Sequence, residues 1–155
     1  MNIVELLISK NLKISTAESC TGGMVAEQIT SINGASNCFD MGVITYSNEA
    51  KMQLLCVKKE TLDEFGAVSE ETAREMCDNV RGLANANIGI SVTGIAGPSG
   101  GTIDKPVGLV YVGVSGEFGT QIQKLNLNGS REDIRKQTVN TVLQIAQQYI
   151  VQFYS

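Results

Sequence analysis

Three short apolar runs, at 13–17, 38–46 and 88–92, each stop at a loop of small and polar residues: ESCTGG, YSNEAK and TGIAGPSGG. Between them lie stretches with helical spacing. This rhythm constrains the fold more than any single residue, because strands that alternate with helices form a sheet covered on both faces. The stretch 3–12 sets Val4, Leu7, Ile8 and Leu12 on one helical face, and 24–32 reads as a helix closed by Asn33-Gly34. In the second strand run, Phe39, Met41, Val43 and Ile44 supply the apolar bulk. Ser47, Ser69 and Ser130 are placed to cap helices over 48–55, from 70 to about 83, and from 131 onward, with a short helix at 60–65. The last of these carries an apolar stripe of Ile134, Val142, Ile145, Tyr149, Ile150 and Phe153. The runs 107–114 and 120–127 form a hairpin around 115–119. The expected fold class is α/β: a single-domain three-layer α/β/α sandwich over residues 1–155, with a mixed, mostly parallel sheet.

At 155 residues and 43% hydrophobic content, the chain can bury one core without disulfides or metal. Sixteen acidic against twelve basic residues give a net charge of −4, which argues against nucleic acid or an anionic membrane as partner. A small anionic ligand held by a local cation stays possible. The chain has no histidine, which excludes imidazole-based hydrolases and histidine-ligated zinc. Proton transfer near neutral pH then falls to a perturbed lysine, carboxylate, tyrosine or cysteine. The four cysteines, Cys20, Cys38, Cys56 and Cys77, form no C-x-x-C pair, so they are expected to be free thiols, with no metal site. Neither a leader nor a long apolar run is present, which leads to the expectation of a cytoplasmic location.

Each loop has a plain reading and a chemical one. In TAESCTGG, a strand runs through a serine into two glycines and a helix. That geometry either caps the helix through Ser19 or Thr21, or exposes Ser19 with the N–H groups of Cys20, Thr21, Gly22 and Gly23 facing an anion. Lys51, in YSNEAK, is either a solvated surface lysine or, if desolvated against Ser19, a base for its hydroxyl. At the ordinary lysine pKa of about 10.4 only roughly one amine in 2,500 is neutral at pH 7, so the second role needs a large downward shift. Tyr46 either packs in the core or hydrogen-bonds this pair. The glycine loop 93–101 is either a flexible turn or a cradle for phosphate or sugar, with the Thr93 hydroxyl, Gly94 and Gly97 at its base. It matches neither G-x-G-x-x-G nor the P-loop. Arg131 and Arg135 sit at a helix start, where an arginine is unfavourable unless an anion compensates it. Cys20 is more readily explained as packed than as reactive.

Taken in order, TAESCTGG, VITYSNEAK, GAVSEE, TGIAGPSGG and KPVG resemble the CinA C-terminal domain family, from about Leu6 to Gln148. The resemblance implies hydrolysis of the carboxamide of nicotinamide mononucleotide by a serine–lysine pair, without metal or cofactor, in homodimers or higher assemblies. It puts the nucleophile on Ser19, the lysine on Lys51, the supporting tyrosine on Tyr46, the loop hydroxyl on Thr93 and the late arginine on Arg131. This chain has Ser130 in NGSRED where an aspartate is common. The alternatives are a non-catalytic nucleotide-binding module and an amidase for another small amide.

Overall fold

Hydrophobic alternation becomes a single sheet with two unlike faces in the computed structural model, which describes residues 1–155. The elements are α1 (Ile3–Ser9), β1 (Ile14–Glu18), α2 (Met24–Thr30), β2 (Phe39–Ile44), α3 (Asn48–Leu55) and α4 (Lys59–Phe65). They continue with α5 (Glu70–Leu83), β3 (Ile88–Gly94), β4 (Leu109–Gly116), β5 (Gly119–Asn126) and α6 (Arg131–Phe153). Ser47, Ser69 and Ser130 cap α3, α5 and α6 by accepting from the N–H groups of Ala50, Thr72 and Asp133. Each hydroxyl satisfies an amide that the first helical turn leaves unpaired.

The strand order is β2-β1-β3-β4-β5. β1 pairs in parallel with both β2 and β3, aligning Ile14 with Phe39 on one side and with Ile88 on the other. β4 runs antiparallel to both β3 and β5, so four strands share one direction and β4 alone opposes them. Successive strand residues point to opposite faces. Ile14, Ile88, Ile90, Val92, Val110, Val112 and Val114 build the larger core with α1, α2 and α6. The other face is small: Ala17, Gly89, Ser91 and Gly113 lie where α5 crosses. A Cβ on Gly89 would overlap the Cys77 carbonyl, one on Gly113 would stand 2.8 Å from the Cys77 sulfur, and Ser91 Oγ donates to the Ala73 carbonyl at 2.7 Å. α5 therefore rests almost directly on the strand backbone. Leu55, Val57, Leu62, Met76 and Val80 close a second, smaller core there.

Two expectations shift. β2 is an edge strand that leaves Met41 and Ile44 exposed, because nothing flanks it on the outside and the helices cover its faces only in part. In α1 the buried residues are Ile3, Val4, Leu6 and Leu7, while Ile8 is exposed. The apolar pattern allowed either stripe, and docking against α6 selects one.

Candidate active site

Parallel neighbours β1, β2 and β3 end at the same edge of the sheet, so the loops that follow them meet there, as ligand sites in such sheets require. With the start of α6 they enclose a pocket of about 260 Å³, whose walls include Ser19, Cys20, Lys51, Thr93 and Arg131. The glycine loop on its rim is tied down. Gly108 N–H donates to the Ile95 carbonyl at 2.8 Å, and Thr102 N–H to the Lys105 carbonyl at 2.7 Å.

Ser19 and Lys51 come together. α3 aims Lys51 inward, leaving it 1% exposed, and Nζ donates to Ser19 Oγ at 3.0 Å and to the Thr45 carbonyl at 2.8 Å. None of the domain's ion pairs involves it. Burial pushes its pKa below the ordinary lysine value, with the nearby Cys20 thiol acting in the opposite direction. A desolvated lysine without a carboxylate partner is the form in which an amine can accept a proton near neutral pH.

The turn after β1 is built on a residue that sequence reasoning missed. Glu18 is buried and faces α2. Its Oε1 accepts from the Thr21 hydroxyl at 2.6 Å and from the N–H groups of Gly23 at 3.2 Å and Val25 at 2.9 Å, and Oε2 accepts from Ala26 N–H at 3.0 Å. A carboxylate here answers both the unpaired amides and the positive end of the helix dipole. The signal was present in the sequence: the cap position of α2 is Gly23, which has no side chain, so the cap must come from elsewhere. Gly22 N–H meanwhile bonds the Ser19 carbonyl at 3.0 Å. Thr21, Gly22 and Gly23 therefore do not line the pocket, contrary to expectation, and Gly22 and Gly23 have no amide free for an anion. Of the expected donors, Cys20 lines the pocket, and its N–H makes no hydrogen bond to another residue. From the other side Arg135 clamps the turn: Nε donates to the Cys20 carbonyl and a terminal nitrogen to the Thr21 carbonyl, both at 3.1 Å.

Arg131 is the arginine that faces the pocket. It donates to the Gly97 carbonyl at 2.8 Å and to the Tyr46 hydroxyl at 2.9 Å, with no carboxylate to neutralise it. Tyr46 is 60% exposed and bonds Arg131, not the Ser19–Lys51 pair, because the alternation that buries Thr45 turns Tyr46 outward. Thr93 is buried and its hydroxyl donates to the Ala67 carbonyl at 2.7 Å, joining the glycine loop to the segment before α5. Gly94 and Gly97 lie on the pocket wall, as does Asn48, which the sequence reading passed over. Burial pushes the Cys20 thiol up to about 11, which leaves it protonated beside the serine. No three Cys, Asp or Glu side chains converge where they could hold a metal ion.

These features define a class: an α/β domain whose glycine-walled pocket sets a serine against a buried lysine. Residues 1–150 match the CinA C-terminal domain family, and the chain belongs to it. A relative from Thermoanaerobacter sp. (strain X514), named for competence-damage induction, is 52% identical over 149 residues. That match takes in 96% of this chain but 36% of the relative, so the chain spans about a third of the length of the curated relatives it matches. A CinA superfamily protein from Klebsiella pneumoniae superposes with a TM-score of 0.94 at 32% identity, over 97% of this chain and 94% of that one. The competence/damage inducible protein CihA from Agrobacterium tumefaciens gives 0.88 at 42% identity, over 94% and 95%. No helix is long and apolar enough to cross a membrane.

Proposed function

We propose that this domain hydrolyses a carboxamide, and that the amide is that of nicotinamide mononucleotide. The observation that carries the reading is Lys51 Nζ, buried without a counterion, 3.0 Å from Ser19 Oγ. Neutral Lys51 takes the Ser19 proton as Oγ attacks the amide carbon, and the Cys20 N–H faces the oxygen on which charge develops. The lysine ammonium then gives its proton to the departing ammonia. Water, deprotonated by the same amine, cleaves the acyl ester, releases the acid and restores Ser19. The uncompensated charge of Arg131, steadied by Tyr46 and Gly97, suits the phosphate of a mononucleotide and reconciles an acidic protein with an anionic substrate.

The test is purified protein with nicotinamide mononucleotide under excess chelator, reading ammonia and the acidic product. Ser19→Ala and Lys51→Ala are each expected to lose at least roughly 100-fold in kcat. The unphosphorylated riboside should be a much poorer substrate. Near-normal ammonia release from either variant would refute the assignment, and tight binding without turnover by the unaltered protein would mark a binding module instead.

A further inference from the structure

The Thr45 hydroxyl is the one buried side-chain oxygen in the domain that has no hydrogen-bond partner. Its backbone, by contrast, is fully engaged: the N–H donates to the Glu18 carbonyl at 2.8 Å and the carbonyl accepts from Lys51 Nζ at 2.8 Å. Alternation along the strands locates the side chain. Glu18 pairs with Ile44, and both face α2: the carboxylate holds the α2 amides, and Ile44 Cδ1 lies 3.1 Å from where a Gly23 Cβ would stand. The residues that follow, Ser19 and Thr45, therefore turn to the α3 side. There Ile44 and Tyr46 are exposed while Thr45 between them is fully buried. Lys51 Nζ contacts both residues of this pair, Ser19 through Oγ and Thr45 through its carbonyl.

A lysine ammonium carries three N–H groups, and these two contacts use two of them. Once a substrate excludes solvent from the pocket, the third needs an acceptor within the protein. On that side the Thr45 oxygen is the buried side-chain acceptor with no other partner, on the residue whose carbonyl already holds Nζ. We propose that Thr45 is a positioning residue for Lys51: its hydroxyl accepts the third N–H of the ammonium formed when Ser19 gives up its proton. The idea rests on the serine–lysine reading and deepens it. It also explains why a hydroxyl occupies a site where valine would fit without a buried polar atom to satisfy. The titratable and charged groups facing the lysine pocket are Cys20 from the β1–α2 turn, Tyr46 ahead of α3 and Arg131 from α6. α5 contributes Met76 and Val80 to the adjoining core.

The experiment compares Thr45→Val and Thr45→Ser with the unaltered protein. The first readout is the rate at which a small alkyl fluorophosphonate modifies Ser19. There Oγ bonds phosphorus, fluoride leaves and Lys51 takes the proton, so the assay is independent of the natural substrate. Thr45→Val is expected to slow this reaction roughly tenfold or more, the size of one hydrogen bond to a charged group. Thr45→Ser should stay within about threefold, since it keeps the acceptor. With the mononucleotide, kcat should fall in parallel while KM stays within about twofold, as for an interaction made only in the transition state. The acid limb of the kcat profile should move to lower pH, because the filled site loses an acceptor for the ammonium, while that of kcat/KM stays in place. Thr45→Val should unfold at the same temperature as the unaltered protein or higher, a gain that lost packing does not produce. Thr45→Val reacting at the unaltered rate, or a slow variant that serine does not rescue, overturns the proposal. A reactive Ser19 in a protein that leaves the mononucleotide intact removes only the substrate reading, whereas an unreactive Ser19 in the unaltered protein removes the positioning role and the dyad together.

Discussion

Glu18→Gln tests whether the nucleophile turn is built on a buried carboxylate. Glutamine keeps the shape but replaces one oxygen with an NH2 group, and every group around Glu18 is a donor. In the better orientation its carbonyl keeps Thr21, Gly23 and Val25, while the NH2 meets the Ala26 N–H. The Ala26 N–H and the introduced NH2 group are then both left without an acceptor, at about 1–3 kcal/mol each. Losing the negative charge at the α2 N-terminus adds about 0.3–1 kcal/mol. The expected loss is therefore about 2–7 kcal/mol, and its midpoint corresponds to a fall in Tm of roughly 9–18 °C for a domain of this length. Urea denaturation followed by circular dichroism measures it, with exposed Glu27→Gln in the first turn of the same helix as control. The control loses the dipole contribution without orphaning a buried donor. If Glu18→Gln unfolds no more easily than Glu27→Gln, the carboxylate is not what holds the turn.

Lys51→Met should abolish ammonia release and yet stabilise the protein near pH 6, because a linear apolar side chain replaces an ammonium that burial disfavours. The folded lysine pKa lies below its unfolded value, so the unfolded chain binds more protons between the two and wild-type stability rises with pH across that window. The advantage of the methionine variant should therefore shrink toward pH 10, and an advantage independent of pH would contradict the assignment. Gly89→Ala should cost about 1–3 kcal/mol in denaturant unfolding by lifting α5 from the sheet. Gly82→Ala, on the same helix with nothing within 4 Å, should instead gain about 0.5–1 kcal/mol.

Local signals carried well from sequence to structure. The caps at Ser47, Ser69 and Ser130 each act within one turn of their own helix, and the helix 48–55 has the bounds its spacing predicts. The Ser19–Lys51 meeting was legible because lysine was the base left to a chain without histidine, in a loop that leaves a neighbouring strand. What stayed hidden depends on which strand lies outermost and which way a turn faces. Met41 and Ile44 read as part of the strand's apolar bulk, and their exposure stayed hidden because edge position is not encoded in a strand's own residues. Glu18 read as a turn residue because its partners lie up to eight positions ahead, across a bend. Arg131 and Arg135 are four apart on one helix; the resemblance pointed to Arg131, and the turn carbonyls that Arg135 holds explain why Arg131 is the one left to the pocket.

β1 lies between β2 and β3, although β2 follows it directly in sequence and β3 arrives some seventy residues later. Serine and amine therefore meet through the β1–β2 pairing of neighbouring segments, whereas the glycine loop joins them only when β3 docks on the other side of β1. Under the proposed serine–lysine reading, a chain in which β1 and β2 have not paired displays Ser19 as an ordinary alcohol. Labelling at that alcohol during refolding then reports when β1, β2 and α3 come into register.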